Sequence, residues 1–175
     1  MSLPMSLPVP LPMSVPVPLP ADFASECLYT ADQWYVHELL ELDPEGNRVR
    51  ARVDTTRLGA LVEAQVETPG HPRHVPGAVM VQITGTLGNL HAVYILGLRP
   101  SEGWSGFGTH VRNAKFPSMG RIGPPVDVEL RATRVRKVRG RHFVEYSFRY
   151  EQEGREIYVA EHAAIWFKGE PGAAA

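Results

Sequence analysis

The sequence has a single cysteine, Cys27. That excludes an internal disulfide and any zinc site built from several thiolates, and it fits a reducing compartment. It also lacks an excess of charge of either sign. Lys and Arg number 18 against 19 Asp and Glu, a formal net charge of −1, so bulk electrostatic binding to nucleic acid is not expected. The first 20 residues hold no Lys or Arg, and proline breaks every apolar run there, so no secretory signal is read. Residues 78–98 lack Asp, Glu, Lys and Arg altogether. They do contain Gln82, Thr84, Thr86, Asn89, His91 and three glycines, too polar a mix for a membrane span. The expectation is a buried helix in a soluble, cytoplasmic protein.

What is present divides the chain. The 175 residues suggest one domain with a tail. A core of about 150 residues hides about 70% of its unfolded surface, so it needs no staples. Seven of the first 20 residues are proline, in tandem MSLP and VPLP units. Proline fixes φ and removes a donor, so residues 1–24 read as a disordered or polyproline II tail. Residues 25–168 read as the folded domain, and 169–175 as a flexible C-terminus.

Within the domain, Trp34, Val36, Leu40 and Leu42 sit at even spacing and suggest a strand. Asp43-Pro44-Glu45-Gly46-Asn47 is turn chemistry. Val49, Ala51 and Val53 then alternate with Arg48, Arg50, Arg52 and Asp54, so the pair reads as a hairpin. Residues 57–69 fit neither period. His71-Pro72-Arg73-His74-Val75-Pro76-Gly77 is a rigid loop, and the uncharged helix begins at Ala78. Val126, Val128 and Leu130 alternate with charged residues. Phe143 to Tyr150 is β-prone, Glu151 to Gly154 is a turn, and Ile157 to Phe167 forms the last strand. The class implied is α+β, with an antiparallel curved sheet wrapped around one apolar helix.

Several strings then resemble bacterial 3-hydroxyacyl-ACP dehydratases of the hot-dog fold. His37-Glu38-Leu39-Leu40-Glu41-Leu42-Asp43-Pro44 resembles that family's first strand and turn. Gly70-His71 followed by Pro76-Gly77 resembles its Gly-His-Phe-Pro loop. Val111-Arg112-Asn113-Ala114-Lys115-Phe116 with Gly123-Pro124-Pro125-Val126 resembles a later strand and turn. The likeness spans residues 34–168. It implies an acyl-thioester substrate on acyl carrier protein or CoA, a homodimer, and no cofactor or metal. It also implies a site in which a loop histidine faces a helix carboxyl across the dimer. His71 matches the histidine, and His74 is its rival, because the loop here is shorter than the family's. His74, Pro76, Gly77 and Phe116 fall where substrate would bind, Gly77 with an amide open to a thioester carbonyl. The family's carboxylate position is occupied by Gln82.

That replacement bears on chemistry. Dehydration needs a base for the α-proton and an acid for the departing hydroxyl. Glutamine can orient a water or a hydroxyl but releases no proton at neutral pH. Glu63, Glu67 or a tyrosine could supply the acid instead. Three readings remain open: a dehydratase-like enzyme, an acyl thioesterase, and a non-catalytic acyl-carrier-binding protein. His71 and His74 alone make a poor metal pair, since zinc needs at least three protein ligands. Trp104, Phe107 and Phe116 suit an acyl tunnel or a core. Val79, Met80, Ile83 and Leu87 suit either the tunnel or the sheet. The basic run Arg131, Arg134, Arg136, Lys137, Arg139 and Arg141 suits an acidic carrier, CoA phosphates or a solvated strand edge.

Overall fold

The computed structural model describes residues 15–169. The expected repeat over residues 1–14 and the end over residues 170–175 lie outside them. The strands are β1 (Val17–Pro18), β2 (Glu38–Asp43), β3 (Arg48–Val53), β4 (Trp104–Lys115), β5 (Val126–Val138), β6 (Arg141–Gln152) and β7 (Arg155–Lys168). Short helices α1 (Phe23–Glu26) and α2 (Ala60–Glu63) precede the long α3 (Gly77–Tyr94). All seven strands form one antiparallel sheet in the order β1-β2-β3-β5-β6-β7-β4.

Local chemistry sets the hairpins. Arg139-Gly140 and Glu153-Gly154 each place both turn residues at positive φ, the two-residue geometry that matches strand twist. In the β2–β3 turn Asn47 also has positive φ, and Asp43 Oδ1 accepts the Gly46 amide at 2.8 Å. The pleat then divides apolar from polar. Val49, Ala51 and Val53 on β3, Val126, Val128 and Leu130 on β5, and Val144, Tyr146, Phe148 and Tyr150 on β6 are all buried on one face. Arg52 meets Asp127 at 2.7 Å across β3 and β5.

Helix α3 lies against that face, with 12 of its 18 residues buried. Burial on most sides explains why its sequence shows no polar stripe. Val79, Met80, Ile83, Leu87 and Leu90 join the core with the sheet, which decides between the two roles left open for the first four.

Two sequence expectations are corrected. The tail was expected to run through residue 24, but Val17 and Pro18 pair with Leu39 and Glu38, and Phe23 is fully buried against Trp34 at 4.8 Å. Proline is tolerated there because β1 is an edge strand. The strand expected from Trp34 starts only at Glu38: Tyr35 has φ 56°, and a bulge between Leu39 and Glu41 breaks the alternation, so Leu39 and Leu40 are both buried.

Candidate functional site

Between α3 and the β7–β4 edge of the sheet lies a cavity of about 350 Å³. It exists because side chains are missing. Gly85 and Gly88 on the helix face Gly106 and Gly108 on β4 and Ala163 and Ala164 on β7. A Cβ built at Gly85, Gly88 or Gly108 meets nothing within 4 Å, so all three open onto free space. The helix contributes Val81, Gln82, Thr84, Gly85, Gly88 and Asn89, one face repeating every three to four residues. Glycine in a helix interior costs about 1 kcal/mol against alanine. Gly88→Ala is therefore expected to raise the melting temperature by about 2–4 °C while narrowing the cavity. A lower melting temperature would mean that the added methyl clashes.

The wall is largely apolar with a few polar groups. Gln82 Nε2 is buried and makes no hydrogen bond. Asn89 Nδ2 donates to Cys27 Sγ at 3.3 Å. The Tyr146 hydroxyl lies 3.3 Å from His91 Nδ1, and burial raises its pKa strongly. His162 pairs with the Tyr158 hydroxyl at 3.1 Å and stacks against Phe148 at 4.7 Å. Burial lowers its pKa and lifts Tyr158 to about 12. Among the described residues no carboxylate lines this cavity.

The residues expected from sequence fall in two places. Gln82 and Phe107 line the cavity. His71 lies in the exposed loop before α3, bridged to Thr68, with its ring 4.9 Å from that of His74. His74 is held by Gln65, whose amide accepts from His74 N at 3.1 Å and donates to His74 O at 2.8 Å. Pro76 is the N-cap of α3, and no side chain caps that helix start. Gly77 has the Phe116 ring over it: a Cβ there would sit 3.2 Å from the ring, so glycine allows this close packing. Within the chain neither His71 nor His74 lines the cavity that holds Gln82. Glu63 and Glu67 are exposed, Glu67 beside Arg73 at 3.5 Å. Trp104 packs on His142 at 5.2 Å rather than lining the cavity.

Sequence reasoning missed His162, Tyr146 and Trp166 as wall residues. His162 is the one with a readable signal, a histidine directly before the apolar run Ala163 to Phe167. Among the described residues no group of three or more His, Cys, Asp or Glu is placed to hold a metal. No helix among them is long and apolar enough to cross a membrane.

A curved antiparallel sheet against one long buried helix is the hot-dog fold, as the sequence strings implied. No protein-family model and no curated protein matches the sequence. Solved structures do match. A thioesterase from Haemophilus influenzae is 17% identical with a TM-score of 0.57, over 87% of this chain and 92% of that one. A dehydratase heterocomplex from Xenorhabdus doucetiae is 12% identical with a TM-score of 0.55, over 82% and 88%. A mutant thioesterase from Pseudomonas aeruginosa is 18% identical with a TM-score of 0.51, over 75% and 81%. At these identities the likeness is one of fold.

Proposed function

We propose that this protein binds acyl thioesters of acyl carrier protein or CoA in the cytoplasm and, as a homodimer, dehydrates 3-hydroxyacyl groups. The observation that carries the reading is the glycine-walled cavity along α3, with Gln82 near the helix start. An acyl chain fits such a slot. The uncapped positive end of α3 favours the negative charge that develops on a thioester carbonyl. A histidine removes the α-proton and, as the imidazolium, returns that proton to the hydroxyl, which leaves as water as the Cα–Cβ double bond forms, while Gln82 orients the hydroxyl.

The base in this reading is the partner subunit's His71. Strand β4 pairs only with β7, so its other edge is open among the described residues. Phe107, Val111, Phe116 and Met119 are exposed on or beside it. A second copy covering that edge would bury them and close the cavity. His162, already in the cavity wall, is the base if the dimer does not bring His71 there. The basic hairpin supports carrier docking. Arg131, Arg134, Arg136, Lys137 and Arg139 are exposed along β5 and its turn, with Arg141 half-buried beside them. That surface suits acidic helices or CoA phosphates.

Thioester hydrolysis is the second reading. It is favoured by a wall without carboxylates, because hydrolysis asks only for one base and a positioned water. Incubation with 3-hydroxyacyl-CoA, enoyl-CoA and saturated acyl-CoA separates the readings. Enoyl absorbance supports the dehydratase; its loss in His71→Ala but not in His162→Ala makes His71 the base, and the reverse makes His162 the base. Free thiol without enoyl turnover supports the thioesterase. Acyl-carrier binding without turnover leaves a non-catalytic binder, and no binding at all sinks the proposal.

A further inference from the structure

The cavity has two different ends. Gln82 lies in the second turn of α3, and Asn89 lies seven residues on, about 10 Å along the axis at 1.5 Å per residue. Strand β4 runs back along the helix, because Trp104 follows the helix exit while Phe116, just beyond the strand, reaches Gly77 at the helix start. Gly106 and its register partner Trp166 therefore belong to the far end, away from Gln82.

Three polar side chains meet there, and one polar atom among them has no partner. Trp166 is 5% exposed and lines the cavity, and its Nε1 makes no hydrogen bond. The indole N–H lies near the Tyr146 hydroxyl, a donor contact that opposes the rise burial gives that phenol, but it does not reach hydrogen-bond geometry. On its other side the ring is packed against Gly106, where no side chain would fit. Tyr146 is 3% exposed, and its hydroxyl lies 3.3 Å from His91 Nδ1. Asn89 spends its amide on a sulfur, a weak acceptor. A core of this apolar character normally pairs each buried N–H.

Resting on the acyl-thioester reading, we propose that the acyl group carries an acceptor oxygen at its far end, about two helical turns from the thioester, bound by the Trp166 indole N–H beside the Tyr146 hydroxyl. An aliphatic hydroxyl or ketone and a phenol share this chemistry. A plain hydrocarbon end leaves the N–H bare in a closed site, which is how a polar site rejects an analogue lacking the group.

The test compares octanoyl, omega-hydroxyoctanoyl and para-hydroxyphenylpentanoyl thioesters, each on CoA and on acyl carrier protein, by direct binding to the full chain. The oxygenated esters are expected to bind about tenfold tighter or more than octanoyl. Whichever of them does so identifies the aliphatic or the phenolic source. In Trp166→Phe, which keeps a ring and removes the N–H, the ratio of oxygenated to octanoyl binding falls to near unity. Equal binding of all three to the native protein overturns the proposal and leaves the acyl-thioester reading standing. So does a preference that survives in a folded Trp166→Phe. Should that variant not fold, the native comparison decides alone. If no ester binds on either carrier, the acyl-thioester reading falls and takes this one with it.

Discussion

Gln82→Glu is expected to speed dehydration of 3-hydroxyacyl thioesters by about 10²–10⁴-fold, the usual worth of one positioned general acid or base. The substitution keeps the shape of the side chain. It also breaks no hydrogen bond of the amide nitrogen, since Gln82 Nε2 has none. A carboxyl placed there is half-buried in a mostly apolar wall, and desolvation raises its pKa. It would therefore stay protonated closer to neutrality than a surface glutamate and could hand its proton to the leaving hydroxyl. The gain should appear in kcat, with a new limb in the pH profile where that carboxyl ionises. Enoyl absorbance at saturating substrate measures it. An unchanged rate in the folded variant means that Gln82 does not face the reacting carbons, and the proposed placement of the thioester fails.

Acid should weaken the native fold through His91. This imidazole is fully buried, and burial pushes its pKa from 6.5 to about 4. The unfolded chain takes up the proton first, so the unfolded state gains as pH drops. The contribution is complete above pH about 6.5 and is lost progressively as pH falls toward about 4, a total of about 3 kcal/mol. Burial lowers His37, His142 and His162 in the same direction, so they add to the slope. His91→Phe keeps the ring against Tyr146 and removes the titration, at a cost of about 1 kcal/mol for the hydroxyl left without its partner. Urea unfolding at pH 7 and pH 4.5 should then differ by about 2–3 kcal/mol less than in the native protein. An equal loss in both proteins would show that His91 is not neutral in the native state.

The elements were legible because their signals are local. Alternation in Val49 to Val53 and Val126 to Leu130 needs only neighbouring residues, and so does the Asp43 to Asn47 turn. The uncharged run from Ala78 could go nowhere but inside. The N-terminal boundary was misread because proline composition hid Phe23, whose burial depends on Trp34 and Tyr94 from elsewhere in the chain.

The site divides the same way. Gln82 was singled out by the resemblance to the dehydratase loop, counting from Gly77, and it does line the cavity. His162, Tyr146 and Trp166 were not singled out. They reach the cavity because the sheet places the last strand between β6 and β4, which sets Gly106 beside Trp166 and Val111 beside His162. The amino-acid order thus determined the hairpin around Asp43 to Asn47, the strands from Val126, Phe143 and Ile157, which helix is buried, and that no carboxylate would be found on it. Only the tertiary structure decided where the empty space lies, because a cavity is made by glycines and alanines that are distant in sequence and meet only when the sheet closes on the helix.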